Sequence, residues 1–526
     1  MVFRVCWVFL LVAFVLSALG RAPVVAQDDD PQHWLDTYLH DPGSRDELRP
    51  KLLALGADKL TELIRAYPRP RPLAAGEHKL STTCPDGFAR PYWLWMPANY
   101  DGETPAALVV CLHGGVMAAP VDAGVAIMRW YAKYLKVRET PRPVVVMAAS
   151  ADCYETWMNA AWWRDAGRAN IHHFIRQAKL LLNIDSDRVF VCGFSDGGSG
   201  SFAMAFCSPD VFAGYLPMCG DPLIPITDGQ THCYTNLKGA NVFAMNGGVD
   251  PIYPGREIEK LYKAANKDGA NIQWEIYPEA GHDWGDPDVT FPRNLEFVDT
   301  WRREQPADID WSADRGGLGR RGWLSIDETG PLDKKHNKAK KPEPRGGGSY
   351  RIDLGIKVPS DFNEMAAPRV GRVDKDSIAD VMGVEAGDVV RQLDGSDVAN
   401  FPEIRMLLSR KRAGDKVSLT IERNGELQTF TETIPKPEKR HVGRVQGKHG
   451  STLAIEVHDV TRASVWVSAA MLNDRGEITI KLNKERAFSG KVAADAAVLL
   501  DEFSLNGERE PRAIARIRLD VKAILK

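Results

Sequence analysis

One serine stands alone in the run from Arg188 to Phe206, "RVFVCGFSDGGSGSFAMAF". Gly193 precedes it by two positions, and Gly197 and Gly198 follow it by two and three. The five residues from Gly193 to Gly197 fit the pattern G-x-S-x-G. The apolar segment before them predicts a strand, and the small residues after them predict a helix. In such a turn the serine backbone is sharply bent, and glycines on either side keep side chains out of the way. Ser195 would then present its hydroxyl at the start of a helix, where the partial positive charge favours developing negative charge. That is the setting of a nucleophile.

A serine nucleophile needs a base, and the base needs an orienting partner. His282 lies in "PEAGHDWG", just past an apolar strand pattern, and Asp250 lies in "NGGVDPIYP", past the strand pattern before it. One helix and one strand separate the two, so both fall at the same sheet edge as Ser195. In this reading His282 takes the serine proton and Asp250 holds the imidazole. Asp283, Asp286 and Asp288 are the rival carboxylates. An oxyanion would be met by backbone amides of Gly115 or Val116 in "CLHGGVM", together with the amide of Asp196. His113 is read as shaping that loop, and His172 and His173 as surface residues of a helix. No Cys/His spacing suggests a metal site, and no cofactor is expected.

The elements that must position these groups alternate. "YWLWMP", "AALVVCLHGG", "RPVVVMAAS" and "DRVFVCGFS" read as strands, and "ANIHHFIRQAKLLL" and "GREIEKLYKAANKDG" as helices. Continuous apolar strands between helices predict an α/β fold with a doubly wound, mostly parallel sheet. At 526 residues, 44% of them hydrophobic, the chain is long enough for about two to four domains. Residues 27–79 read as a helical segment and 80–305 as the α/β catalytic domain. Residues 331–349, basic and rich in Gly and Pro, read as a linker. Residues 350–437 form a compact unit, and 441–526 alternate in period two as an all-β domain, "AVLLDEF" included.

The first 26 residues read as a cleaved secretory signal. Arg4 is followed by an apolar run from Val5 to Leu19, with Val24 and Ala26 placed for a cut before Gln27. The mature protein is therefore expected to be periplasmic or secreted, with no membrane partner. The net charge of −3 gives no reason to expect nucleic acid. Of eight cysteines, Cys6 lies in the signal. Cys111 and Cys192 sit in strand-like runs as buried thiols, and the other five are candidates for bridges.

Together "LVVCLHGG", "NIDSDRVFVCGFSDGG", "NGGVDPIYP" and "EAGHDW" resemble the α/β-hydrolase superfamily, in particular its secreted esterases near polyhydroxybutyrate depolymerases and feruloyl or acetylxylan esterases. The resemblance covers roughly 80–305. It implies a Ser195–His282–Asp250 triad that hydrolyses carboxylic esters, on polysaccharide-linked or polyester substrates. Asp196 departs from the uncharged residue usual after the nucleophile. "YETWMNAAWWRDAG" offers Tyr154, Trp157, Trp162 and Trp163, either as an aromatic wall of the substrate pocket or as a packed covering loop.

"SYRIDLGIKV" and "MGVEAGDVVRQLDG" resemble a periplasmic PDZ domain. That resemblance implies capture of a C-terminal peptide at Leu354, Gly355 and Ile356, with a structural spacer as the alternative. The two short strands read at 306–330 either join the C-terminal β domain, with the PDZ-like unit inserted between, or follow in plain series. Two other functions stay open: a serine peptidase of the same fold, and a non-catalytic hydrolase scaffold carrying a PDZ module.

Overall fold

Strands Ala106–Leu112, Val144–Ala149 and Gly214–Met218 are buried at every position. A strand without a polar face needs cover on both sides, which helices of parallel crossover units provide. The computed structural model describes residues 30–68, 73–116, 122–151, 161–227, 230–316, 319–344, 352, 354–357, 366–408, 411, 414–435 and 441–526. The proposed signal, Tyr154 and Trp157 lie outside them.

Eight strands form the main sheet: β1 (Gly76–Thr83), β2 (Ala89–Met96), β3 (Ala106–Leu112), β4 (Val144–Ala149), β5 (Ile184–Phe194), β6 (Gly214–Met218), β7 (Val242–Gly247) and β8 (Ile272–Tyr277). Their spatial order is β1-β2-β4-β3-β5-β6-β7-β8. The pairs from β4 through β8 are parallel, and β1 and β2 are antiparallel additions at one edge.

Three helices form a separate small unit: α1 (Pro31–His40), α2 (Arg45–Ala54) and α3 (Gly56–Arg65). It buries Leu35, Leu39, Leu52, Leu60 and Ile64. The catalytic unit adds α4 (Gly124–Leu135), α5 (Asp165–Leu181), α6 (Asp196–Cys207), α7 (Ile224–Thr227), α8 (Gly255–Lys267) and α9 (Pro287–Thr300). On one sheet face Leu108, Val110 and Leu112 pack with Phe174, Phe202 and Tyr262 of α5, α6 and α8. On the other, Val109 and Cys111 pack with Met128 and Tyr131 of α4 and with Phe291 and Leu295 of α9.

Strand Asp308–Ala313 pairs with Gly443–Lys448 over six registered residues, and Leu324–Thr329 pairs with Val460–Val467. These strands belong to a five-stranded and a four-stranded sheet that enclose one core around Trp311, Trp323 and Val465. Between them in sequence lies a unit with its own core around Ile356, Val390 and Ile421.

Several sequence expectations change. Strand β1 straddles the boundary expected at residues 79 and 80 and is not foreseen from sequence, because its residues alternate between half-buried and exposed and carry little apolar signal. "AVLLDEF" lies in a helix, Ala496–Asn506, not a strand. The Asp495 side chain caps its first turn through Ala497 N at 2.8 Å, and Gly507 closes it at φ 67°. Residues 331–344 are not a free linker. Asn337 exchanges hydrogen bonds with Asp459, and Lys338 and Ala339 donate their amides to the Val457 carbonyl. Cys84, Cys111, Cys192, Cys207, Cys219 and Cys233 are buried free thiols, so among the described residues none forms a bridge. His172 and His173 face protein, against Ser208 Oγ at 3.0 Å and Thr82 Oγ1 at 2.8 Å.

Candidate active site

Strand β5 delivers Ser195 into a conformation few non-glycine residues adopt, φ 56° and ψ −116°. The Ser195 amide donates to the Met218 carbonyl at 2.9 Å, and its carbonyl accepts from Ser199 N at 2.9 Å, so both neighbours hold the bend. The turn is too tight for a side chain at Gly197, where a Cβ would lie 2.0 Å from the Leu112 carbonyl oxygen. The strained φ is thus enforced by the backbone around it.

Asp250 follows β7 and His282 follows β8, both at the carboxyl ends of the parallel strands. His282 Nε2 lies 2.8 Å from Ser195 Oγ, and His282 Nδ1 lies 2.7 Å from Asp250 Oδ2. A carboxylate only accepts, so Nδ1 carries the proton and Nε2 is left to receive one from the serine. Asp250 is buried, and its Oδ1 accepts from Ile252 N at 2.7 Å and Tyr253 N at 2.9 Å. Those amides fix the carboxylate before it meets the imidazole. The rivals are engaged elsewhere. Asp283 accepts from Gly281 N and Gly285 N, Asp286 caps α9, and Asp288 pairs with Lys133 and Tyr134.

One of the expected oxyanion donors, the Val116 amide, is not free. Asp196 Oδ2 accepts from Val116 N at 3.0 Å. Burial is the largest influence on this carboxyl and pushes it above the ordinary aspartate range; the Val116 amide, His282 and the Gly115 amide pull against it. The Val116 N–H is therefore spent on a side chain. Asp196 N opens the first turn of α6, where amides lack intrahelical partners. His113 is structural. Its Nε2 accepts from Ala151 N at 3.0 Å, and its carbonyl accepts from Trp162 Nε1 at 2.9 Å.

Trp162 and Trp163 do not line an open pocket. Both are buried in the core, and the Trp162 indole Nε1 donates to the His113 carbonyl at 2.9 Å. The aromatic surface beside the relay is made by other residues. The Phe194 ring lies 5.0 Å from the His282 ring and 4.4 Å from Trp284, and Tyr253 lies 5.6 Å from His282. Val249 and Ile252, flanking Asp250, are exposed. These positions sit within three residues of a motif residue, and adjacency was the only sequence signal for them.

Cys219 Sγ, an Asp250 oxygen and a His282 nitrogen lie within 4.8 Å of one another. They suit a metal poorly. Asp250 and His282 are bonded to each other, and the Cys219 thiol, pushed up to about 12 by burial, donates to the Asp283 carbonyl.

In the compact unit after residue 350, Leu354 and Ile356 are buried in its core, not open to a ligand. The Leu354 and Gly355 carbonyls accept from Ala379 N and Asp374 N at 2.9 and 2.8 Å. Carry-over of Leu354 and Ile356 as ligand contacts is therefore limited to their backbone.

Residues 139–296 match the dienelactone hydrolase family, and residues 352–434 match the PDZ domain. "Probable feruloyl esterase C" of Aspergillus flavus is 30% identical over 210 residues, covering 35% of this chain and 69% of that protein. "Poly(3-hydroxyalkanoate) depolymerase C" of Paucimonas lemoignei is 32% identical over 162 residues, covering 30% of this chain and 34% of the other. A solved "Thermostable Esterase" aligns with a TM-score of 0.32 at 22% identity, over 43% of this chain and 63% of that one. With the esterase match spanning two thirds of a relative and laid over this strand order, the chain belongs to the α/β-hydrolase superfamily of esterases and carries a PDZ domain as well.

Proposed function

We propose that the protein is a secreted serine hydrolase that cleaves carboxylic esters through Ser195, His282 and Asp250. The observation that carries the reading is the connected relay, 2.8 Å from hydroxyl to imidazole and 2.7 Å from imidazole to carboxylate. Ser195 Oγ attacks the ester carbonyl carbon while its proton passes to His282 Nε2. The bond to the alcohol oxygen breaks, and that oxygen leaves with the same proton. Water then attacks the acyl-enzyme, again giving a proton to Nε2. The acyl–Oγ bond breaks, Ser195 recovers the proton, and the acid departs. Asp250 stabilises the imidazolium formed in each half.

The surface beside the relay supports a reading of the substrate class. Phe194, Tyr253 and Trp284, with exposed Ile252 and Val249, suit an apolar or aromatic acyl group. Polysaccharide-linked aromatic esters and polyesters both fit, in keeping with the names of the relatives. A PDZ domain is a peptide-binding module in its family, and we assign the same role to residues 352–434, with a C-terminal peptide as ligand. The signal-like sequence pattern of residues 1–26, an apolar run after Arg4 with small residues at 24 and 26, supports a periplasmic or secreted location.

Turnover of p-nitrophenyl acetate, set against a chromogenic peptide, tests the reaction. Ester turnover that vanishes in Ser195→Ala is expected. Faster cleavage of the peptide would favour a peptidase, and no turnover of either would favour the scaffold. A panel of feruloyl, acetyl-xylan and hydroxybutyrate oligomer substrates ranks the acyl groups. A screen of C-terminal peptides that finds no binder would leave the PDZ domain a spacer.

A further inference from the structure

The side chain next to the nucleophile is turned inward, onto the loop that should bind the oxyanion. That loop leaves β3 at Leu112. Its near end is held by His113, through Ala151 N and Trp162 Nε1. Its middle is pressed against the nucleophile, since a Cβ on Gly114 would lie 2.9 Å from Ser195 Cβ. Its far end is tied by Asp196, whose Oδ2 accepts from Val116 N at 3.0 Å. The Gly115 amide gives the same carboxyl a lesser stabilisation. A buried carboxylate is a costly group to place beside a reacting centre unless its acceptor oxygens are used.

Resting on the reading of Ser195 as nucleophile, we infer that Asp196 is a positioning residue for the oxyanion site. Its carboxylate consumes the Val116 amide to fix the shape of the loop. The Gly115 amide, only weakly drawn to that carboxylate, and the Asp196 backbone amide then remain as donors for the substrate oxygen. One residue thus serves the site twice, by its own N–H and by anchoring the strand-to-loop turn that carries the second donor. A donor displaced by even a fraction of an ångström loses most of its effect on the transition state, and little of its effect on ground-state binding.

The test compares Asp196→Ala, which removes the acceptor, with Asp196→Asn, which keeps an acceptor oxygen without the charge. Two rates are read: kcat and KM on p-nitrophenyl acetate, and labelling of Ser195 by a fluorophosphonate, whose P=O oxygen occupies the oxyanion position. Asp196→Ala should lower kcat about 10- to 100-fold, slow labelling by a similar factor and leave KM within about threefold. Asp196→Asn should recover most of both rates. A thermal unfolding midpoint for each variant separates this effect from general loosening, which would not be rescued selectively by Asn. If Asp196→Ala does not fold, Asp196→Glu, whose longer arm displaces the carboxylate from Val116, should show the same loss. Turnover and labelling within twofold of the parent in Asp196→Ala, or an Asn variant as slow as the Ala variant, would overturn the role. Ser195→Ala that turns over like the parent, or a parent that neither turns over nor labels, would instead overturn the underlying hydrolase reading and this inference with it.

Discussion

Arg444 grips Asp310 with two hydrogen bonds, Nε to Oδ1 and Nη2 to Oδ2, each 2.6 Å long. The two residues stand on paired strands, and the whole PDZ domain lies between them in sequence. Both are largely buried, so this forked pair is stronger than a surface ion pair. Nearby, Lys340 N donates to Gln446 Oε1 at 3.1 Å, which brings the two flanks of the insert together.

The first prediction follows from that closeness. Replacing residues 345–440 with a short Gly/Ser linker should leave a folded esterase, because an insert whose ends meet can be removed without stretching its host. Turnover of p-nitrophenyl acetate should stay within about twofold of the parent. An insoluble or inactive product would show that the PDZ domain is needed to build the sheets around it.

Asp250→Asn should keep the fold and lose the chemistry. The amide oxygen can still accept from Ile252 N and Tyr253 N, but an amide NH₂ facing His282 Nδ1 favours the wrong tautomer. The expected fall in kcat is on the order of 10³–10⁴. A fall under tenfold, measured at saturating ester, would remove Asp250 from the relay.

Two tryptophans should behave in opposite ways. Trp162 is buried and bonded to the loop carbonyl of His113, so Trp162→Ala should cost about 3–5 kcal/mol of stability in a urea titration. Trp284, half-buried against Phe194, should tolerate truncation. Its loss should raise KM for aromatic acyl esters more than for acetate. Equal effects on the two substrates would separate Trp284 from acyl recognition.

Stability should fall as the solution is acidified. His232 is buried, stacked on Phe206, and lowered to about 3 by burial with Arg168 and Arg315 nearby. Its folded pKa lies below the unfolded value of about 6.5, so between those limits the unfolded chain binds the extra proton and stability is lost as pH falls. Glu508 adds to this at lower pH. Despite burial, Lys179, Arg303 and Arg512 hold it far below the usual carboxylate range. Its contribution is present above an unfolded value of about 4.3 and is lost as pH drops beneath it. From pH 7 to 5, His232→Gln should lose about 2 kcal/mol less than the parent in denaturant titrations. Identical slopes would mean that His232 takes up its proton in the folded state.

The relay was legible because its residues lie in punctuated loops after continuous apolar strands. Ser195, Asp250 and His282 could be placed at one rim from strand order alone. Strand β1 was hidden, since "GEHKLSTT" is half-exposed and carries no apolar run. The helix at Ala496–Asn506 reads as a strand in sequence because "AVLLDEF" is short and its decisive signals, Asp495 and Gly507, flank it. The run that carries Tyr154, Trp157, Trp162 and Trp163 reads equally as a pocket wall or as a packed covering loop, and Trp162 and Trp163 are packed. Burial is a property of three dimensions, and the half-buried aromatic faces beside the relay belong to Phe194, Trp284 and Tyr253. The bond from Asp196 to Val116 joins residues 80 positions apart, beyond any periodicity.

Attachment at two points has a mechanical meaning. A terminal module trails from one tether and swivels freely. Here one tether enters through residues 337–340, which are bonded to Gln446, Val457 and Asp459, and the other leaves into the strand Gly443–Lys448, so a pull on the inserted unit would be shared between two anchors in the same β core.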